Sequence, residues 1–196
     1  NAVQPNNPWV RQGMGRIYTK WKMPDQAKTE LVAAIKADPK FYPAMVSLGE
    51  MARLAGRTDE ALARCREALA IQDDAEAHAG VGLALAAQGK TDQAKAELVK
   101  AIELWPDQPE ALSILGRIAH EAKDDAAAVS YLSKMAELAP KDREGRKALA
   151  DARFALGEKE PAAIEYERYL RLGGVDVEIV RRIAARPIIA EPKLSG

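Results

Sequence analysis

The hexapeptide GKTDQA, Gly89 to Ala94, holds the Gly-Lys-Thr that closes a phosphate-binding loop, where backbone amides cradle phosphate and a lysine neutralises it. That loop needs a glycine five residues before Gly89, and Ala84 stands there. It also needs a strand running into it, whereas HAGVGLALAAQ is alanine-rich and reads as helix. Other reactive groups are few. His78 and His120 are the only histidines and Cys65 the only cysteine. No Cys, His or carboxylate cluster has metal-ligand spacing, so no metal or cofactor is expected. The pairs Asp73-Asp74 and Asp124-Asp125 stand where helices begin, and carboxylates there favour the helix dipole. No catalytic constellation emerges, and the chain reads as a non-enzyme.

The 196 residues carry 29 Lys+Arg and 29 Asp+Glu, a net charge of zero. That balance argues against nucleic acid as a partner and against a polybasic membrane surface. No apolar run approaches the ~18 residues a spanning helix needs. The chain opens NAVQPNN, without methionine or apolar leader, and reads as a processed protein or an excised piece. Targeting information is therefore absent, and the localisation is unknown.

GRTDEA at Gly56 to Ala61 repeats the pattern of GKTDQA 33 residues earlier. Aligned on their alanines, Ala27, Ala61, Ala94, Ala128 and Ala162 are spaced 34, 33, 34 and 34. Twelve residues before each stand Gly15, Gly49, Gly82, Gly116 and Ala150. Four residues after come Leu31, Cys65, Leu98, Leu132 and Tyr166, so Cys65 takes the place of a buried small hydrophobe. Pro39, Pro106 and Pro140 close three of the units. A period of this length means a repeat array. Each unit reads as two helices, and in the third GKTD supplies a glycine to end the first and a Thr or Asp to cap the second. Four mid-helix glycines cost about 1 kcal/mol each relative to alanine, a loss that close approach of the two helices to a small alanine would offset.

Leu-Gly, then alanine, then proline on a period of 34 residues resembles the tetratricopeptide repeat family over roughly residues 8–174, about 85% of the chain. The resemblance implies an all-α solenoid of five helix-turn-helix repeats in a right-handed superhelix, with units at 8–41, 42–74, 75–108, 109–142 and 143–174. Departures are visible: the aromatic expected three residues after the glycine appears only as Tyr18, and the last unit has Ala150 for glycine. His78 falls where the family places a large packing residue.

In such an array the first helices line the concave face. The resemblance implies a protein-binding groove at Arg16 in unit one, Val46, Glu50 and Arg53 in unit two, and Ala79, Gly80, Leu83, Ala86 and Ala87 in unit three. Arg117 and His120 follow in unit four, and Lys147 in unit five. The expected function is a protein-interaction adaptor that takes a partner segment bearing acidic and small apolar side chains, held by Arg53 and Arg117 around the small-residue floor. Such a module would contribute to assembly of a multiprotein complex. The family's clamp for chaperone C-terminal carboxylates is absent, because its positions carry Gln12, Arg16, Ser47, Glu76 and Gly80. A self-associating scaffold is the alternative reading, and single-stranded RNA binding is a lesser one for a neutral groove.

Val10, Met14 and Ile17 form an apolar edge where an earlier unit would pack. The expectation is either that the natural chain extends upstream or that this edge meets another molecule, with self-association through the first helix as one option. Residues 1–7 are too short and polar to cover it. At the other end, residues 175–186 carry Val177, Val180, Ile183 and Ala184 on one stripe with arginines opposite, which fits a capping helix more than a lipid-surface one. Residues 187–196 read as an extended tail.

Overall fold

Alanine recurs in every hairpin, and one residue in the left-handed conformation at each bend, Lys22, Gly56, Gly89, Lys123 or Gly157, lets the chain reverse. In a computed structural model residues 7–184 are described. They form eleven helices and, among the described residues, no strand: α1 (Pro8–Lys20), α2 (Pro24–Ala37), α3 (Tyr42–Leu54), α4 (Thr58–Leu69), α5 (Ala75–Ala87), α6 (Thr91–Leu104), α7 (Pro109–Glu121), α8 (Asp125–Leu138), α9 (Arg143–Ala155), α10 (Lys159–Arg171) and α11 (Val177–Ala184). Ala185, Arg186 and the tail at 187–196 lie outside the described residues, as does most of the N-terminal extension.

Gly89 has φ +73°, a left-handed conformation that glycine adopts without a side-chain penalty. It ends α5 with a bond from the Gly89 amide to the Ala86 carbonyl, 3.0 Å, and one from Lys90 to Leu85, 3.0 Å. Lys22 and Lys123 take the same left-handed place in other units. The helix starts differ from expectation. Thr58 and Thr91 are already the first helical residues, and the preceding Arg57 and Lys90 make no side-chain cap. Asp74 and Asp124, from the pairs expected at helix starts, and Asp142 do cap, their carboxylates accepting from the amides of Ala77, Ala127 and Gly145 at 2.9, 3.1 and 3.1 Å.

The chain divides into two compact units, residues 1–114 and 115–196, with α7 running across the boundary. In the first unit α1 pairs with α2, α3 with α4 and α5 with α6, and each later first helix packs on the preceding second helix. Ala27, Leu31 and Ala34 of α2 form one core with Phe41, Ala44, Leu48 and Met51. Ala68 of α4 joins Ala77, Met45 and Val46 in the next.

The mid-helix glycines allow the close approach, but against a different neighbour from the alanine expected. A Cβ on Gly82 would lie 2.6 Å from Leu98 Cγ, and one on Gly49 2.5 Å from Cys65 Sγ. What the alanine contributes is its backbone carbonyl, 3.2 Å from that Cβ at Ala94.

In the second unit α8 packs on α9, α9 on α10, and α10 on α11. The last helix caps α10 through Ile179, which is buried among Ala150, Ala162, Tyr166 and Tyr169, with Ile183 beside it. Val177 and Val180, expected on the buried stripe, are exposed. Ile179 and Ile183, four residues apart, set the face turned to α10, and Val177 and Val180 fall off that face.

Candidate functional site: a groove on the first-helix face

Within the first unit α3 contacts both α1 and α5, so the three first helices form a row. A cavity of about 440 Å³ opens on their face. Its floor is Val46 of α3 with Ala79, Gly80 and Leu83 of α5. One wall is the C-terminal half of α1, with Arg16, Thr19 and Lys20. The opposite wall is the loop after α6 and the start of α7, with Trp105, Asp107 and Glu110.

Gly80 matters to the floor. A Cβ there would run into the Cys65 sulfur, so the glycine lets α5 settle onto α4 and leaves a dip in the floor. Cys65 itself is 1% exposed, and burial pushes its thiol up to about 12. It stays protonated at neutral pH and serves as packing, not as a nucleophile.

The charges are not arranged as the sequence suggested. Arg53 was expected to receive a partner's carboxylate. Its guanidinium instead donates from Nε to Glu50 at 2.8 Å, and lies 3.0 Å from Glu110 through Nη1. The hydrogen bond that Arg53 donates to Glu50 is the chief cause that pushes the Arg53 group up from its ordinary value. Arg16 and Lys20 at the α1 wall form no ion pair among the described residues.

Six expected groove residues therefore meet in one cavity: Arg16, Val46, Glu50, Ala79, Gly80 and Leu83. Arg53 braces the rim without lining the cavity. Ala86 and Ala87 end α5 beyond it. Arg117, His120 and Lys147 belong to the second unit, where His120 Nδ1 bonds Asp125 and Lys147 reaches Asp151 at 3.3 Å. Sequence reasoning missed Trp105 and Asp107, because they lie in the loop before α7 and outside the first-helix positions used to read the groove. It left out Glu110 as well, although this second residue of α7 stands at such a position. It also missed Gln108, whose amide donates to the carbonyls of Ala101 and Trp105 at 2.9 and 3.1 Å and so fixes that wall.

A second constellation binds the hairpins themselves. His78 is buried, as a packing residue would be, yet Nδ1 lies 2.6 Å from Glu97 and Nε2 2.7 Å from Asp73. Arg11 and Glu30, 2.8 Å apart, and Arg146 and Glu165, 2.6 Å apart, occupy the same two positions of their units. Each pair joins first helix to second at a separation of 19 residues. Units two and four have Met45 opposite Arg64 and Leu112 opposite Tyr131 there. The histidine thus stands in for an arginine in a structural clasp.

Among the described residues no group of three or more His, Cys, Asp or Glu side chains could hold a metal ion. No described helix is long and apolar enough to cross a membrane.

The sequence profile of the tetratricopeptide repeat matches residues 24–77 and 81–143. No curated protein matches the chain. Among solved structures, the Pseudomonas aeruginosa pilF protein is similar with a TM-score of 0.75 and 23% identity, over 89% of this chain and 80% of that one. PilW, a type IV pilus biogenesis factor, gives 0.73 at 20% identity over 90% and 86%. YrrB, a tetratricopeptide protein with an unusual peptide-binding site, gives 0.63 at 14% identity over 90% and 91%. These likenesses establish the fold. With the repeat profile over more than half its length and paired helices throughout the described residues, this chain belongs to the tetratricopeptide repeat family, a fold of protein interaction and scaffolding.

Proposed function

We propose that the first-helix face of the compact unit formed by residues 1–114 is an adaptor site that binds an extended segment of a partner protein and so contributes to a multiprotein assembly. The observation that carries this reading is the cavity: an uncharged floor of Val46, Ala79, Gly80 and Leu83 between two polar walls. Small residues leave room for one apolar side chain of the partner, and the walls orient the segment on either side of it. An acidic group of the partner falls to Arg16 and Lys20, because Arg53 is already held by Glu50 and Glu110. Arg117, His120 and Lys147 remain candidate contacts presented by the second unit. The site needs no metal, cofactor or nucleic acid.

The test is affinity capture with wild-type protein and with Leu83→Arg, which fills the cavity, followed by mass spectrometry. A protein retained by the wild type and lost with Leu83→Arg supports the reading. Identical retention on both sinks it.

A further inference from the structure

The first helices of the repeats can be compared position by position. The third, seventh and tenth residues of α3 are Ala44, Leu48 and Met51, and in α5 they are Ala77, Val81 and Ala84. All six are buried, Leu48 at 5% and Met51 at 6%, because a preceding second helix lies over them. The same residues of α1 are Val10, Met14 and Ile17, and here Met14 is 38% and Ile17 47% exposed. Trp9 and Trp21 extend the apolar surface to both ends of α1, each turned edge-on to an inner aromatic ring, Phe41 and Tyr18.

Charge decides which occupant fits. Helix α1 contains no acidic residue, and Arg16, Lys20 and Lys22 are exposed along it and its C-terminal turn with no ion pair among the described residues. Arg11 alone is neutralised, by Glu30. On α2, packed against α1, Lys28 and Lys36 border a shallow depression floored by Val32 and Ala33, with Asp25 as its one carboxylate. A second copy of this edge would set these cations against their own kind.

We propose that the α1 edge is a docking surface for an amphipathic α-helix of another protein, with an alanine-centred apolar stripe and acidic borders. The chain's own α2–α3 and α4–α5 interfaces supply the template. There the second helix presents Ala34 or Ala68, both fully buried, to the next first helix. A helix seated over Val10, Met14 and Ile17 continues that geometry, and its carboxylates meet Lys22 within the positive field of α1, whose Arg16 and Lys20 line the groove, so that charge steers association and fixes orientation.

The experiment is fluorescence anisotropy with two short labelled designed helices sharing one Ala/Leu stripe, one bordered by glutamates and the other by lysines. The glutamate helix is expected to bind about tenfold or more tightly than the lysine helix. Ile17→Glu, and separately Met14→Lys, should remove binding while leaving the helical circular-dichroism signal unchanged, since both side chains are exposed. Lys22→Glu should weaken the glutamate helix alone. Leu83→Arg should change nothing, which separates this surface from the groove. Equal binding of both helices, binding of neither, or loss on Leu83→Arg with retention on Ile17→Glu overturns the proposal. So does a concentration-dependent doubling of mass that Ile17→Glu abolishes, which would identify a second copy as the occupant.

Discussion

A methyl group added at Gly13 and one added at Gly82 meet opposite surroundings, although both glycines sit inside first helices. Nothing lies within 4 Å of a Cβ at Gly13, while one at Gly82 would fall 2.6 Å from Leu98 Cγ and 3.2 Å from the Ala94 carbonyl. Gly13→Ala is expected to raise stability by about 0.4–1 kcal/mol, from a less free unfolded chain and better helix propensity. Gly82→Ala gains the same propensity and then loses more to overpacking, which costs about 1–3 kcal/mol, so it should lower stability. Urea unfolding of the two variants reads the signs, and a stabilised Gly82→Ala would show that the helices are not held this close. Cys65 gives a second check at this scale. A thiol pushed up to about 12 and shut under Gly49 and Gly80 should react with a maleimide at neutral pH only as fast as the protein opens. Rapid labelling of the folded chain would contradict its burial.

Between elements, the clasp at a 19-residue separation is strongest at Arg146 and Glu165, both buried. Arg146 also donates to the carbonyls of Pro140 and Ala136, at 3.0 and 3.2 Å. Removing it leaves Glu165 buried with Arg168 as its remaining cation, so Arg146→Ala should cost about 3 kcal/mol, the low end for breaking a buried pair. Arg146→Met with Glu165→Leu should recover a large part, because two apolar groups carry no desolvation penalty. Thermal unfolding of the single and double variants measures both; a single variant as stable as wild type would assign the pair no structural weight. The sequence showed the hairpins themselves plainly, since Gly15, Gly49, Gly82 and Gly116 recur with their alanines at fixed spacing. It did not show the clasps, because only alternate units carry them and one uses His78 in place of arginine. It placed the caps Asp74 and Asp124 at their helix starts, but not the starts of α4 and α6. Thr58 and Thr91 have cap chemistry, but each stands one residue inside its helix, while the N-cap residues before them are Arg57 and Lys90.

At the scale of the molecule, the floor of the groove was legible and its electrostatics were not. Ala79, Gly80 and Leu83 follow from the repeat register. The pairing of Arg53 with Glu110 spans 57 residues and joins two repeats, so no local pattern announces it. Trp105 and Asp107 come from a loop that no helical periodicity reaches. The account's central claim is that the groove of residues 1–114 holds a partner's apolar side chain, with Arg16 and Lys20 beside it. Calorimetric titration of a partner obtained by capture tests this most directly, using wild type, Leu83→Arg, Arg16→Glu and the second-helix variant Lys100→Glu. Leu83→Arg should abolish binding. Arg16→Glu should weaken it about ten- to a hundredfold, the loss of one charge-assisted hydrogen bond with added repulsion. Lys100→Glu should leave the affinity unchanged. Equal affinity across all four proteins would place the binding surface outside this groove and contradict the account.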